Sequence, residues 1–279
     1  MIDSRNYTKE YTKDFVSYWD DLIGWEGREK GENGFFQRLL TAHDARSVLD
    51  CACGTGFHSV TLARDGFDVT ASDGSANMLA QTLENAEDHG VKLANAEVAD
   101  WLHLHETFGP ASFDALVCLG NAFTHLFDHE LRREALRSMY SVVKPGGLIF
   151  IDHRNYDRML GDGFSTKHEY YYTGKGIDAR PVELHRTLAH FEYTFPDGER
   201  FHLKLYPLKQ GYMRHLMEET GFHDILTYGD FERPFDENEV DFIQQVAVRP
   251  MSDDRTLHPE KIAAKGRGNG SGNGANGHG

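Results

Sequence analysis

Cysteine is scarce in this 279-residue chain, and so are basic residues. Three cysteines are too few for the disulfide framework of a small secreted protein, so we expect them to be small core residues in a reducing compartment. Lysine and arginine number 29 against 44 acidic residues, which gives a net charge of −15. This balance argues against nonspecific binding to nucleic acid or to an anionic membrane surface, because both partners attract a basic face.

Long apolar runs are missing as well. No stretch approaches the length of a membrane-spanning helix, and residues 1–5 lack the apolar core of a secretory signal peptide. The sequence therefore predicts a cytoplasmic protein. Hydrophobic residues make up 39% of the chain, which is enough for a packed core. The excess of carboxylates suits either an ordinary acidic enzyme or a protein of a high-salt cytoplasm.

The most informative stretch present is residues 48–58, with the sequence VLDCACGTGFH. It is typical of an apolar strand followed by a tight turn that opens a helix. Gly54 and Gly56 lack a Cβ atom, so they allow a sharp turn and a close approach by a ligand. Asp73 follows 17 residues after Gly56, at the end of a second apolar run. A glycine turn followed by such an acid indicates an α/β sheet that binds a nucleoside, with the acid on the ribose hydroxyls.

Strands and helices alternate from residue 46 onwards. Strands are predicted at 46–49, 67–72, 92–98, 113–119 and 148–152, and helices at 57–65, 75–89 and 128–143. Regular alternation of this kind is typical of a parallel, doubly wound sheet. Residues 1–45 carry aromatic and aliphatic side chains at helical spacing, and we interpret them as an N-terminal helical cap.

An insertion at about 165–208 interrupts the alternation. Within it, residues 188–195 and 199–207 are predicted to form an antiparallel hairpin that acts as a lid. A helix at 209–220 and a strand pair at 224–228 and 242–248 then complete a seven-stranded, mostly parallel sheet.

The predicted domains are therefore the helical cap, a Rossmann-like domain at 46–250 and a tail. The tail, residues 251–279, ends in a Gly/Asn-rich run that is typical of a flexible segment or linker.

Three features bear on which nucleoside the sheet binds. Ser59 stands where a dinucleotide fingerprint has its third glycine, so that fingerprint is incomplete. Asp50 immediately precedes the turn. Asp100 and Trp101 follow the third predicted strand, where a carboxylate can meet an adenine amino group and an indole can stack on the ring. With Pro145-Gly146-Gly147 before the fifth strand, residues 46–152 resemble class I S-adenosylmethionine-dependent methyltransferases.

A more specific resemblance covers residues 7–248. It is carried by CLGNAFTHL at 118–126, IDHRNYD at 151–157, and shorter matches at 170–172, 205–207 and 229–231. These segments resemble the glycine N-methyltransferase family, and most of all the microbial glycine/sarcosine N-methyltransferases of betaine synthesis. The resemblance implies S-adenosylmethionine as the cofactor, glycine and sarcosine as substrates, and a fused or partner methyltransferase domain after the tail.

The resemblance also implies a set of cofactor contacts. They are the turn residues Ala52, Gly54 and Gly56, the ribose ligand Asp73, the adenine contacts Met78, Asp100, Trp101 and Leu119, and the methionine-end contacts Trp19 and Arg28.

The chemistry that the resemblance implies is an in-line methyl transfer from a sulfonium to a neutral amine. Such a reaction needs alignment rather than a strong base or a metal. Arg154 is the main candidate for the substrate carboxylate, because a guanidinium binds a carboxylate through two parallel hydrogen bonds. Asn121 is a candidate for orienting the amine, and His125 for supporting the loop between them.

Tyrosine hydroxyls are the remaining candidates. The resemblance places Tyr11, Tyr172 and Tyr206 around the methyl group or the substrate carboxylate. Tyr171 and Tyr172 point to opposite faces if they lie on a strand, so only one of them enters the site. Histidines at 103, 105, 125 and 129 do not supply a third metal ligand by spacing, and no metal site is predicted.

Three alternatives remain open at this stage. A nicotinamide-dependent oxidoreductase has the same type of sheet, although the incomplete fingerprint speaks against it. A methyltransferase for another small amine fits the same motifs. A protein that binds S-adenosylmethionine without turnover is the third.

Overall fold

The structure is a computed structural model, and it describes residues 7–162 and 174–251. The predictions for Tyr171, Tyr172 and most of the tail fall outside the described residues. Five short helices come first: α1 (Tyr7–Glu10), α2 (Lys13–Ser17), α3 (Trp19–Ile23), α4 (Trp25–Glu32) and α5 (Phe35–Ala42). Left-handed residues at Gly24, Asn33 and Gly34 separate the last three helices, because a helix cannot continue through that conformation.

The alternating region follows the predicted order. Its strands are β1 (Ser47–Asp50), β2 (Asp68–Asp73), β3 (Asn95–Val98), β4 (Phe113–Cys118) and β5 (Val143–Arg154). Its helices are α6 (Phe57–Arg64), α7 (Ala76–Asp88), α8 (Leu104–Phe108), α9 (His129–Val142) and α10 (Tyr156–Asp162). The hydroxyl of Ser75 and the carboxylate of Asp128 cap α7 and α9, because each accepts a hydrogen bond from the first turn of its helix.

The second half contains the predicted hairpin and one additional strand. Its elements are β6 (Asp178–His185), β7 (Leu188–Thr194), β8 (Arg200–Leu205), α11 (Gln210–Thr220), β9 (His223–Gly229) and β10 (Phe242–Val248). Strands β6, β7 and β8 form a separate antiparallel sheet in that order. Strand β6 was not predicted. It pairs on one side only and carries Pro181 beside a bulge, a pattern that an edge strand tolerates and that hides its strand character.

The main sheet confirms the predicted class I methyltransferase architecture. Its seven strands have the order β3-β2-β1-β4-β5-β10-β9. The first five are parallel, whereas β10 runs antiparallel between β5 and β9. Strand β5 starts at Val143, earlier than predicted, and runs through Gly147. A Cβ atom at Gly147 would lie 2.5 Å from the backbone oxygen of Asp114, so only glycine lets β5 approach β4 there.

Both faces of the main sheet are covered, as expected for near-continuous apolar strands. Leu49 and Leu116 face one layer, which contains α9 and α11, while Val48 and Ala115 face the other layer, which contains α5 and α6. The small sheet packs against the N-terminal helices through a third core, with Phe15 and Phe191 at its centre. Cys51, Cys53 and Cys118 are free and buried. Across residues 7–162 and 174–251, no helix has the length and apolarity to cross a membrane.

Candidate active site

A cavity of about 300 Å³ lies where the carboxyl ends of the first five strands meet. The N-terminal helices and the inner face of the small sheet close it, because Trp19, Tyr193 and Leu205 line it together with residues of the main sheet. Ligands bind at this edge of α/β sheets because the loops after parallel strands converge there. Among the described residues, no group of three or more His, Cys, Asp and Glu side chains is arranged to hold a metal ion.

The two glycines of the turn have different roles. Gly54 lines the cavity at a positive φ of 56°, and a Cβ atom there would lie 3.5 Å from Trp19 Nε1. Gly56, at φ 97°, does not line the cavity. A Cβ atom on Gly56 would lie 2.9 Å from Thr82 Cγ2, so this glycine lets the turn pack against α7. Gly54 is thus suited to ligand approach and Gly56 to helix packing.

Asp73 is held at the cavity by backbone donors. The amide of Gly54 donates to its Oδ2 atom (3.0 Å) and the amide of Ser75 donates to its Oδ1 atom (2.8 Å). Burial raises the pKa of Asp73 to about 6, despite these two hydrogen bonds, and the nearby charge of Asp50 acts in the same direction. Burial disfavours the charged form of this carboxylate, so additional hydroxyl donors would stabilise it. A ribose diol would provide two of them.

The predicted adenine contacts all line the cavity. They are Met78, Asp100, Trp101 and Leu119, and the turn residue Ala52 lines it with them. The Trp101 indole donates from Nε1 to the backbone oxygen of Cys51 (2.6 Å), which fixes the plane of the ring. The Asp100 carboxylate accepts from the amide of Leu102 (2.9 Å) and begins the 3₁₀ turn that presents Trp101.

The predicted methionine-end contacts come from the N-terminal helices. Trp19 lies edge-on to Tyr11, with ring centroids 5.1 Å apart. Arg28 is buried, with 4% of its surface exposed, and its Nε donates to Glu32 Oε1 (3.0 Å). The structure brings both residues into the cavity beside Gly54.

Arg154 is a second buried cation that lines the cavity. It ends β5, and its guanidinium carbon lies 5.0 Å from the ring centroid of Phe191 and 5.1 Å from that of Phe242. Two aromatic faces stabilise the cation while they remove water from it. Tyr193 borders the same space, and burial raises the pKa of its hydroxyl against the opposing charge and hydrogen bond of Arg154.

Asn121 lines the cavity in a left-handed conformation, at φ 63°, directly after β4. Its side-chain oxygen accepts from the Arg154 amide (3.0 Å) and its side-chain nitrogen donates to the Tyr156 hydroxyl (3.0 Å). Its own amide donates to Asp152 (2.7 Å). The side chain therefore ties the loop after β4 to the end of β5 that carries Arg154.

Tyr11 and His125 form a buried pair at the cavity wall. The Tyr11 hydroxyl and His125 Nε2 are 2.8 Å apart. Burial lowers the pKa of His125 to about 4, so this imidazole is neutral at physiological pH. Burial also raises the pKa of Tyr11 well above its usual value, with the charge of Asp73 acting in the same direction. The pair is thus an uncharged hydrogen-bonding unit.

Tyr206 is, after Gly56, a second predicted site residue that lies elsewhere in the described part of the chain. It does not line the cavity, and its ring lies 4.0 Å from the guanidinium carbon of Arg132. Its amide donates to the Thr124 backbone oxygen (2.7 Å), so it supports the loop that carries His125.

Tyr193 is the residue that sequence reasoning missed. It occupies an inward position of β7, two residues after Phe191, and period-two alternation along the predicted hairpin was the available signal. Tyr172, the other predicted tyrosine, lies outside the described residues.

Comparison with known proteins agrees with this geometry. A family model described as a methyltransferase domain matches residues 48–147. A glycine/sarcosine N-methyltransferase from Aphanothece halophytica is 45% identical over 251 residues, which cover 88% of this chain and 92% of that protein. A glycine/sarcosine/dimethylglycine N-methyltransferase from Actinopolyspora halophila is also 45% identical over 88% of this chain, but the match spans only 44% of that longer protein.

Solved structures show the same fold. The CcbJ methyltransferase from Streptomyces caelestis superposes with a TM-score of 0.64 at 20% identity, over 90% of this chain and all of that one. An S-adenosylmethionine-dependent methyltransferase from Clostridium acetobutylicum gives a TM-score of 0.63 at 16% identity, over 85% of this chain and 98% of that one. At these identities the likeness concerns the fold.

The predicted cofactor class is confirmed, and the nicotinamide alternative is set aside. The cavity fits S-adenosylmethionine, because it combines a glycine that admits close approach, a buried carboxylate suited to hydroxyl donors and apolar side chains that suit an adenine ring. The enzyme is an S-adenosylmethionine-dependent N-methyltransferase. The chain belongs to the glycine/sarcosine N-methyltransferase family of class I methyltransferases.

Proposed function

We propose that this enzyme methylates glycine to sarcosine and sarcosine to dimethylglycine, the early steps of glycine betaine synthesis. The names of its relatives from Aphanothece halophytica and Halorhodospira halochloris support these substrates. The observation that carries the proposal is the buried Arg154 guanidinium, which lines the cavity and contacts the rings of Phe191 and Phe242. A cation in that position selects an acceptor that has a carboxylate beside its amine.

Each wall of the cavity has a distinct task in this proposal. S-adenosylmethionine supplies an electrophilic methyl group on a sulfonium. Asp73 takes the ribose hydroxyls, Trp101 and Met78 flank the adenine, and Arg28 faces the methionine carboxylate. Gly56 acts through helix packing rather than by contact. Alignment by such walls can lower the barrier by roughly 7–11 kcal/mol in the best cases.

The acceptor end is built to align an amine and to exclude water. Arg154 forms two parallel hydrogen bonds with the substrate carboxylate, and Tyr193 completes the carboxylate site. Asn121 fixes the loop that borders the amine. Tyr172 stays a prediction for the same end, whereas Tyr206 acts through the loop of His125.

Among the described residues named for this end, none is suited to remove a proton from an ammonium group. His125 has a pKa of about 4, far below that of an amine, and the Tyr11 hydroxyl keeps its proton because its pKa is raised. The substrate therefore reacts as the neutral amine that it forms in solution. The Tyr11–His125 pair offers a hydroxyl oxygen or a ring nitrogen to the transferring methyl group without introducing a charge.

The proposal extends to domains and location. We assign residues 1–45 to a cap, 46–250 to the methyltransferase domain with its insertion at about 165–208, and 251–279 to a tail that meets a fused or partner methyltransferase domain. The Actinopolyspora halophila relative, of which this chain matches 44%, has room for such a domain, whereas the Aphanothece halophytica relative is matched over 92% of its length. The few cysteines and the acidic charge support a cytoplasmic enzyme that binds neither nucleic acid nor membranes.

The test is mass spectrometry of the products formed from S-adenosylmethionine and, separately, glycine, sarcosine and dimethylglycine, each in low and high salt. We expect methylated glycine and sarcosine with little betaine. Absence of product from all three acceptors in both salts would reject the proposed substrates and leave the class of enzyme unchanged.

A further inference from the structure

A buried ionic cluster lies behind the methionine end of the cavity. Glu32 Oε1 is 3.0 Å from Arg28 Nε and 2.8 Å from His58 Nε2. The side chains of Arg28, Glu32 and His58 are 4%, 6% and 10% exposed. One carboxylate oxygen thus receives two nitrogen partners in a site that excludes water.

The cluster joins two separate parts of the site. Arg28 and Glu32 lie one turn apart at the end of α4, and His58 is the second residue of α6, directly after the glycine turn. Arg28 and His58 line the cavity, whereas Glu32 stands behind them. Glu32 is therefore the link between the helical cap and the turn.

The contacts of Arg28 define how its guanidinium is presented. Its Nε edge faces Glu32, and its Cζ atom lies 5.2 Å from the ring centroid of Phe57. Its Nη2 atom reaches the loop after β4, 3.9 Å from the position of a Cβ atom on Gly120. An arginine held at Nε has its outer edge directed, and a directed guanidinium binds a carboxylate more selectively than a free one.

The charge state of Glu32 suits this arrangement. Burial alone would raise the pKa of Glu32, but His58 and Arg28 outweigh it and lower the pKa. The carboxylate is therefore ionised at neutral pH. A buried ion pair contributes little net stability compared with apolar packing, so its presence at a ligand cavity points to a role in orienting the arginine.

We propose that Glu32 and His58 are positioning residues that hold the Arg28 guanidinium toward the carboxylate of the methionine moiety of S-adenosylmethionine. This inference rests on the contact proposed above for Arg28. The competing interpretation is a purely structural link between α4 and α6, which would act equally on every ligand of the cavity.

The experiment compares two ligands by calorimetry. S-adenosylhomocysteine carries the amino-acid carboxylate, whereas methylthioadenosine has the same nucleoside and lacks the amino acid. Glu32→Gln is expected to lower the affinity for S-adenosylhomocysteine by about tenfold to a hundredfold, which is the effect of disturbing a charged hydrogen bond. The affinity of this variant for methylthioadenosine should change by less than about twofold, which corresponds to less than about half a kcal/mol.

Three further variants make the outcome decisive. Glu29 lies on the same helix and forms an ion pair with the surface residue Arg64. Glu29→Gln removes only this exposed pair, so the affinities for both ligands should stay unchanged. His58→Gln tests the second partner and also serves if Glu32→Gln fails to fold. Equal weakening of both ligands in Glu32→Gln and His58→Gln would overturn the inference in favour of a structural link.

Arg28→Gln separates this inference from the function on which it rests. If Arg28→Gln lowers only S-adenosylhomocysteine affinity while the Glu32 and His58 variants leave both ligands unchanged, the positioning role is wrong and the Arg28 contact stands. If Arg28→Gln leaves the affinity for S-adenosylhomocysteine unchanged, the proposed contact of Arg28 with the carboxylate is wrong. The positioning role of Glu32 and His58 is then wrong as well.

Discussion

The two ends of the cavity are built in different ways. The nucleoside part of the cofactor end is built mainly from loops that directly follow β1 to β4, and its key acid is fixed by backbone amides of the same loops. The acceptor end joins Tyr11 of the N-terminal segment, Arg154 of β5 and Tyr193 of the small sheet, which are far apart in sequence. The nucleoside part is therefore built from loops of one sheet edge, whereas the acceptor end depends on the packing of three separate units.

The largest effect is expected from Arg154→Lys at the acceptor end. Lysine keeps the charge but loses the two parallel hydrogen bonds, so kcat/KM for glycine should fall on the order of a hundredfold. Affinity for S-adenosylhomocysteine, measured by calorimetry, should change by less than about threefold. A parallel loss of both quantities would mean that Arg154 supports the whole cavity.

Asp73→Asn should produce the reverse pattern at the cofactor end. The amide retains the shape and loses the carboxylate that receives the ribose hydroxyls, so cofactor affinity should fall roughly thirtyfold. In the parent enzyme, affinity should rise with pH until about 6 and then level off, because below the pKa of Asp73 binding must displace a proton. The variant should lose this pH dependence; retention of it would assign the dependence to another group.

Tyr193→Phe and Tyr206→Phe form a matched pair. Tyr193 borders Arg154 in the cavity, so removal of its hydroxyl should lower kcat/KM for glycine by about fivefold. Tyr206 lies outside the cavity on Arg132, and its variant should stay within about twofold of the parent. A larger loss in the Tyr206 variant would restore it as a residue that touches substrate.

The smallest effect concerns stability against pH. The pKa of His125 is lowered to about 4 in the folded protein, so the unfolded chain binds a proton first as the pH falls. Stability from the neutral imidazole is present above about pH 6.5 and is lost as the pH falls toward 4. Between pH 7 and 5.5, the free energy of unfolding of the parent, measured with urea, should decrease by about 1 kcal/mol more than that of His125→Gln. Equal losses would show that His125 is not buried in solution.

The cofactor end was easier to predict from the sequence, because the motifs that mark it are short and continuous in the chain. A glycine turn, an acid after the next strand and an Asp-Trp pair each sit within a few residues of a strand end. The main sheet was predictable for the same reason, since apolar runs alternate with capped helices. Strand β3 was predicted three residues too long at its start, because apolar pattern fixes the presence of an edge strand better than its bounds.

The acceptor end was harder to predict for physical reasons. Tyr193 reaches Arg154 only after β6, β7 and β8 have paired and packed on the N-terminal helices, and in the sequence only the period-two alternation of its own strand marks it. Tyr206 stands within a motif match, yet its ring packs on the Arg132 guanidinium and does not line the cavity. Gly56 belongs to the signature of the turn, but its conformation serves packing against Thr82.

The placement of Arg154 between Phe191 and Phe242 has a consequence for how such an enzyme changes its acceptor. Phe191 belongs to the small sheet and Phe242 to the main sheet, so two structural units together hold the guanidinium in place. Exchanging the small sheet for another would alter one side of the stack and leave the loops after β1 to β4 unchanged. Diversification of acceptors by exchange of this segment, with residue 154 changed in the same step, is the evolutionary and engineering route that this architecture favours.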